Sequence, residues 1–367
     1  MMPLPKFSLV QPKTLKEAAQ ALRDADGRGR ILSGGTDLLV NMKHELYPDS
    51  SDVLVYVADL EELRQVQLKD GFLEVGAGLR LHEVADHELV QLYASALATA
   101  CSKVAHPQAR HMGTLGGNVC LDVRCNYVNR TPAWRTALGG CLKSEGDSCH
   151  VVVQGTRCVA AMSGDSVAPL VALGAQVRIV GPDGERVVPV GDVRSKDGEH
   201  PLKMDIGELL VSVLIPCESE GRRKSVYHKW AVRQAVDFPL VSLAMVCDMD
   251  DEGLIKDLRI AVGALGPRPK LIKGTAKFVG GALDEHVAEK VSELLRKQCS
   301  PLSNLLYDIE YRRHLLGVLG KRQILAWANG SPDPETRPVL KSAGGMICFD
   351  RLLVYQSMNH HIGVFCA

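Results

Sequence analysis

Arg30-Ile-Leu-Ser-Gly-Gly-Thr-Asp-Leu-Leu-Val-Asn-Met42 reads as a short strand, Arg30-Ile-Leu32, broken by a glycine pair and continued by an apolar run. Paired glycines let backbone N–H groups approach an anion closely, and the Thr36 hydroxyl adds a donor, so the turn suits a diphosphate without needing a lysine. The stretch is neither Gly-x-Gly-x-x-Gly nor a Walker loop, which excludes the common Rossmann and P-loop arrangements. About eighty residues on, Thr114-Leu-Gly-Gly-Asn118 repeats the same chemistry, so two such loops could clasp one diphosphate from two sides. A glycine pair after a strand is also an ordinary tight turn. Pro107, Arg110 and His111 lie just upstream, and none of them is assigned a catalytic role.

Directly after the second loop comes a polar, Gly-rich segment holding Cys125, Cys141, Cys149 and Cys158, in the pattern Cys-x15-Cys-x7-Cys-x8-Cys. Zinc fingers and ribbons pair their cysteines two to four residues apart, so these gaps do not match them. Widely spaced thiolates on a loop suit an iron–sulfur cluster better, although structural zinc remains the alternative. Arg124, Arg130, Arg135, Lys143 and Arg157 could offset the charge of a net anionic cluster, and they read equally well as solvated loop charges. Cys120 lies nearby on what looks like a strand leaving Asn118 and is left out of the ligand set. The remaining cysteines, among them Cys101, Cys217, Cys247 and Cys299, sit in apolar or helix-like settings, where a thiol acts as a small hydrophobe.

The chain has 367 residues, enough for two or three domains, and 46% of them are hydrophobic. Lys plus Arg and Asp plus Glu both number 43, so no general field favours nucleic acid or an anionic membrane. No signal peptide is visible and no apolar window approaches the ~18 residues of a membrane span, so the expected location is the cytoplasm. The eleven cysteines are then expected as thiols or metal ligands rather than disulfides.

Helical spacing appears at 15–22 with Thr14 as N-cap, at 81–101 with a break near 91–93, and at 168–173. Strands are expected at 53–57, 73–75 and 209–215, and a hairpin at 177–180 and 186–190 around Gly181-Pro-Asp-Gly184. The charged run Glu218-Ser-Glu-Gly-Arg-Arg-Lys224 reads as a domain boundary. Beyond it, strands at 225–232, 240–248 and 258–264 precede helices near 283–298 and 304–328, a compact α+β unit. From Ser331 the composition is that of a linker.

Taken together, Gly34-Gly-Thr-Asp-Leu38, Thr114-Leu-Gly-Gly-Asn118, Ser163-Gly-Asp-Ser-Val-Ala-Pro169 and Asp237-Phe-Pro239 resemble the FAD-binding medium subunits of the xanthine dehydrogenase and carbon monoxide dehydrogenase family. The likeness runs from about residue 5 to 326. Most members pass almost directly from the Gly-Gly-Asn loop to the Ser-Asp segment. The intervening insertion, 119–160, resembles the 4-hydroxybenzoyl-CoA reductase branch of the family.

The resemblance implies an α+β fold: a two-part FAD-binding domain of the vanillyl-alcohol-oxidase (PCMH) type over 1–217, then a small C-terminal α+β domain over 225–328. Residues 329–367 would be an atypical tail. It implies FAD held by Leu32, Ser33, Gly34, Gly35, Thr36, Asp37 and Leu38, and by Thr114, Gly116, Gly117 and Asn118. Asp165 would lie at the adenosine end, with Lys229 and Phe238 near the flavin. It further implies a 4Fe-4S cluster on Cys125, Cys141, Cys149 and Cys158, and no catalytic residue on this chain. The implied partners are a large molybdopterin subunit and a small 2Fe-2S subunit in a dimer of heterotrimers, with ferredoxin as electron donor.

Overall fold

Thr14 extends the backbone ahead of Leu15–Asp24 and accepts the Glu17 N–H at 3.1 Å, so the first helix starts where a side-chain cap can satisfy an orphan donor. Its buried Ala18, Ala19 and Leu22 pack on a three-stranded parallel sheet of Ser8–Val10, Val53–Tyr56 and Gly29–Leu32, with Val53–Tyr56 central. The computed structural model describes residues 3–47, 52–217 and 222–330. The tail from Ser331, and 218–221 of the expected boundary, lie outside the described residues.

A five-stranded antiparallel sheet follows, ordered Val66–Lys69, Phe72–Gly76, Leu209–Pro216, Gln176–Gly181 and Gly184–Pro189. The expected hairpin is there, with Gly181 opposite Gly184. Val66–Lys69 is an addition to the sequence reading: it is a largely exposed edge strand with no apolar run to betray it. The long helical stretch is three helices, Leu81–Asp86, Glu88–Tyr93 and Ser95–Ser102, broken at His87 and Ala94 rather than near 91–93. His87 breaks the run because its backbone is extended and its Nδ1 accepts the Leu89 N–H at 3.2 Å, capping the next helix.

The C-terminal sheet runs Arg222–Trp230, Val241–Met249, Ile255–Gly263, Lys270–Leu271, and the helices Glu285–Gln298 and Ile309–Ala328 pack against one another. The second helix starts five residues later than its spacing suggests, because the Asp308 carboxylate accepts the Tyr311 N–H at 2.8 Å and caps it there.

All nine residues of Val241–Met249 are buried. The period-2 alternation of a strand divides them between two cores. Leu243, Met245 and Cys247 join Val287, Val291, Leu295 and Leu316 on one side. Ala244 and Val246 join Leu97, Leu170 and Val177 on the other. The sheet is therefore a partition with apolar core on both faces, and it fixes the C-terminal region against the strands and helices that carry the glycine loops.

Arg312, with no exposed surface, ties this region together: its guanidinium donates to the carbonyls of Leu240 at 2.9 Å, Leu302 at 2.8 Å and Ala264 at 2.9 Å. Burial pulls its pKa down to about 10, which still leaves it charged near neutrality. Arg312→Met should strand two buried carbonyls and one half-buried one and cost about 3 kcal/mol, given 1–3 kcal/mol per unsatisfied buried group. A denaturant midpoint within error of the wild type would contradict this.

Candidate functional site

Gly34 sits so close to the 112–113 backbone that a Cβ there would lie 2.0 Å from the Met112 carbonyl oxygen, and Gly35 adopts φ +68°, a left-handed geometry favouring glycine. The two glycines thus bring the strand end Gly29–Leu32 against the turn that starts the second loop. Between them opens a cavity of about 900 Å3, towards the upper end of ligand-pocket sizes, about 300–1,000 Å3. Ser33, Gly34, Gly35, Thr36, Asp37, Leu38, Thr114, Gly116, Gly117, Asn118, Asp165 and Phe238 all line it. Leu32 and Lys229 do not; Leu32 ends its strand, and Lys229 pairs with Asp165.

The two glycine loops differ in what they offer. In the first, the N–H groups of Gly34 to Asp37 have no hydrogen-bond acceptor among the described residues. The second is itself the short helix Leu115–Val119, capped by Thr114, whose Oγ1 accepts the Gly117 N–H at 3.2 Å. Leu115 N–H donates to Leu79 O at 2.9 Å and Gly116 N–H to Ala77 O at 2.8 Å. Its glycines serve close packing, since a Cβ on Gly116 would stand 2.8 Å from that of Ala77. The expected symmetric clasp is therefore lopsided: the first loop offers a run of free N–H donors, whereas in the second only the Thr114 N–H has no acceptor among the described residues.

Asn118 fastens the second loop to the Ser163–Ser166 turn: its Oδ1 accepts the Ser166 N–H at 2.9 Å and the Ser166 hydroxyl at 2.7 Å. The hydroxyls of Ser33 and Ser163 are buried, line the cavity and have no partner in the protein. Buried polar groups are nearly always paired. Two orphaned hydroxyls and a row of free N–H groups fit a polar, anionic ligand such as the diphosphate of FAD.

Asp165 is buried beside them. Its Oδ1 accepts the Tyr227 hydroxyl at 2.5 Å, and its Oδ2 the Lys229 ammonium at 2.9 Å. Burial pushes its pKa up while Lys229 and Tyr227 oppose the shift. Lys229 also donates to Lys103 O at 2.9 Å. Phe238 is 44% exposed and carries the Arg124 guanidinium over its ring at 4.8 Å; the same guanidinium pairs with Asp37. Sequence reasoning missed the rest of the wall, notably Tyr47, Asp122 and the 199–208 segment, which carry no glycine pair.

The insertion leaves and rejoins the scaffold through one two-residue ladder, Val123 opposite Met162 and Arg124 opposite Ala161. Within it Cys125, Cys141, Cys149 and Cys158 line a single small cavity of about 20 Å3 together with Tyr127, Lys143 and His150. Backbone anchors hold the ring: Cys125 N–H donates to Asn129 Oδ1 at 2.9 Å, and Cys158 N–H to Asp197 Oδ1 at 3.0 Å. Asn304 braces it from the C-terminal region, its carbonyl accepting the Asn126 N–H at 2.9 Å and its Nδ2 donating to Val159 O at 2.7 Å. Burial pushes the Cys125 thiol up, and the Cys158 thiol to about 12, with Lys143 pulling Cys158 the other way.

Among the described residues no three His, Cys, Asp or Glu side chains converge tightly enough to hold a single metal ion. A zinc–sulfur bond of about 2.3 Å would demand such convergence. Four thiols around one shared space are the donor type that holds an iron–sulfur cluster. Cys120 is not on a strand: it is the C-cap of Leu115–Val119 and lines the large cavity. Of the five basic residues near the quartet, only Lys143 lines the thiol cavity. Arg135 is instead buried, donating to the carbonyls of Arg130, His44 and Glu45.

Residues 5–218 match the FAD binding domain in molybdopterin dehydrogenase, and residues 226–327 the CO dehydrogenase flavoprotein C-terminal domain. The chain belongs to the family of FAD-binding medium subunits of xanthine dehydrogenase- and CO dehydrogenase-type molybdenum hydroxylases, and is an oxidoreductase subunit. It is 27% identical over 313 residues to the xanthine dehydrogenase FAD-binding subunit of Escherichia coli O157:H7, covering 85% of this chain and 92% of that one. It is 30% identical over 273 residues to an aldehyde oxidoreductase FAD-binding subunit of Escherichia coli K12, covering 72% and 82%. The solved carbon monoxide dehydrogenase of Hydrogenophaga pseudoflava superposes with a TM-score of 0.71 at 23% identity, over 89% of this chain and 99% of that one. Quinoline 2-oxidoreductase of Pseudomonas putida 86 gives 0.69 at 25% identity, over 90% and 99%. Among the described residues no helix is long and apolar enough to cross a membrane.

Two substitutions probe this site. Gly34→Ala drives a methyl group into the Met112 carbonyl and should weaken FAD binding at least tenfold, about 1.4 kcal/mol, read from flavin retained on dilution. Lys229→Met leaves the buried Asp165 carboxylate without its cation and should cost about 3–5 kcal/mol in denaturant unfolding. Replacing Asp165 by Leu in the same chain should recover part of that loss.

Proposed function

We propose that this chain is the FAD and 4Fe-4S electron-transfer subunit of a molybdenum-dependent 4-hydroxybenzoyl-CoA reductase. The complex would remove the phenolic hydroxyl of 4-hydroxybenzoyl-CoA reductively to give benzoyl-CoA, in anaerobic breakdown of aromatic compounds in the cytoplasm. Electrons would come from ferredoxin, pass through this chain, and leave to the 2Fe-2S clusters of a small subunit and the molybdenum cofactor of a large one. The assembly would be a dimer of heterotrimers, and the aromatic substrate would bind on the molybdenum subunit.

The observation that carries this reading is that four cysteines far apart in sequence line one cavity, on an insertion whose neck abuts the residues lining the large cavity. FAD can exchange electrons singly or in pairs and a 4Fe-4S cluster exchanges one at a time, so the two together supply a relay. The chain's own residues would position both groups. Ser33 to Leu38 would present N–H donors and a hydroxyl to the diphosphate, and Ser163 a second hydroxyl. Thr114, Gly116, Gly117 and Asn118 would form the opposite wall, with Asp165 at the adenosine end and Phe238 beside the flavin ring. The thiol cavity is small, so its sulfurs would spread on taking up iron.

A second reading is a flavoprotein subunit of another xanthine dehydrogenase-like hydroxylase. It is favoured by the similar identity, 27% and 30%, to subunits named for xanthine and aldehyde chemistry. Turnover of 4-hydroxybenzoyl-CoA by the reconstituted complex separates the two readings.

Anaerobically purified protein should carry one FAD and about four irons per chain. Cys141→Ser should lose the iron and the broad cluster absorbance while keeping FAD. Iron retained at the wild-type level in that variant would refute the assignment of Cys141, and one zinc per colourless wild-type chain would refute the cluster.

A further inference from the structure

Lys143 lines both cavities, the one ringed by the four thiols and the one between the glycine loops. It is also the only Lys or Arg among the residues lining the thiol cavity. Its side chain is 8% exposed, and its ammonium sits 2.9 Å from Asp122 Oδ1, whose side chain is 10% exposed. It donates as well to the Gly198 carbonyl at 2.8 Å. These two oxygens take two of the ammonium's three N–H bonds.

Both anchors are fixed from elsewhere. Asp122 lines the large cavity; its Oδ2 accepts the Tyr47 hydroxyl at 2.6 Å and its Oδ1 the Val123 N–H at 2.7 Å. Tyr47 in turn accepts from Asn41 Nδ2 at 3.1 Å, and Arg30 lies over its ring at 4.5 Å. Gly198 belongs to the turn that supports Cys158: its N–H donates to the Cys158 carbonyl at 2.8 Å, and a Cβ there would come within 2.9 Å of the Cys158 sulfur. The cation is therefore gripped on one side by the flavin cavity wall and on the other by the mount of a cluster ligand.

We propose that Lys143 and Asp122 form an ion pair shared by the two cofactor sites, with Lys143 as a positioning residue that raises the potential of the cluster and Asp122 setting how much of its charge is felt. This rests on the reading of the thiol cavity as a 4Fe-4S site. On reduction the cluster gains one electron and becomes more negative by one unit. A fixed cation in a poorly solvated wall stabilises that form, and a neighbouring anion opposes it. Both charges also face the large cavity, so the flavin couple feels the same pair.

The test is an anaerobic redox titration of the whole purified chain, with the cluster followed by electron paramagnetic resonance and the flavin by visible absorbance. Lys143→Met should shift the cluster equilibrium about tenfold towards the oxidised form, a fall of about 59 mV for a one-electron couple. Asp122→Asn removes the anion; with its amide oxygen kept towards the Val123 N–H and Lys143, its NH2 group donates to the Tyr47 hydroxyl oxygen, and the same equilibrium should shift several-fold towards the reduced form. Lys143→Arg should stay near the wild type, and the flavin couple should move in the same direction as the cluster in each neutralising variant. A structural role for the pair would instead change cofactor content, or move both variants the same way.

An unchanged cluster potential in either neutralising variant, or shifts of like sign, overturns the proposal while leaving the cluster assignment intact. A flavin couple that does not move overturns the shared pair. Wild-type protein lacking a cluster signal and iron overturns the cluster assignment and this proposal with it.

Discussion

The close approach of Gly34 to the Met112 carbonyl is the contact on which the large cavity depends. One partner ends a strand of the small parallel sheet. The other precedes the capped helix Leu115–Val119, which is hydrogen-bonded to Ala77 and Leu79 beside the five-stranded sheet. Any side chain at residue 34 would force these units apart, and with them the walls formed by Ser33–Leu38 and Thr114–Asn118. The remaining walls are set by the partition sheet, whose two-sided burial holds Tyr227 and Lys229 against Asp165.

Arg124 joins these elements to the insertion. It lies in the neck ladder immediately before Cys125, pairs with Asp37 of the first loop, and stacks on Phe238 of the C-terminal region. Burial lowers its pKa to about 10, so it keeps its charge at neutral pH. A single side chain thus touches the first glycine loop, the thiol insertion and the C-terminal region, in keeping with Arg as a residue that both ion-pairs and stacks.

Much of this was legible in the sequence where chemistry restricts residue choice. Gly34 and Gly35 could be read because only glycine tolerates that approach and that φ, and the cysteine quartet because four thiols in one polar segment are more than its small apolar cluster, which takes in Cys158 and Cys125, accounts for. The helical state of Leu115–Val119 was not legible, since Gly116 and Gly117 are poor helix formers. It is imposed by the Thr114 cap and by the Ala77 and Leu79 carbonyls, all tertiary context. That same context uses up the N–H groups a reader would assign to a ligand. The Tyr47–Asp122–Lys143 chain was equally hidden, because its members are distant in sequence and unremarkable in type. The convergence of the four thiols depends on turns braced by Asn129, Asp197 and Asn304, which no spacing rule encodes.

The neck ladder carries a consequence for how the protein matures. Residues 125–160 join the scaffold sheet-wise through only two residue pairs and are otherwise braced by polar contacts from His44, Glu45, Asp122, Asp197 and Asn304, while the apolar nucleus at their neck is little more than Val123, Cys158 and Ala160 with Cys125 and Leu142 around them. Ordering a residue costs about 1–2 kcal/mol in backbone entropy, which so small a nucleus does not offset. On the proposed reading, iron would supply the difference, since metal affinity at such a site is folding free energy. The scaffold and its flavin pocket could then assemble first, with the insertion as a late-folding appendage that iron delivery locks into shape.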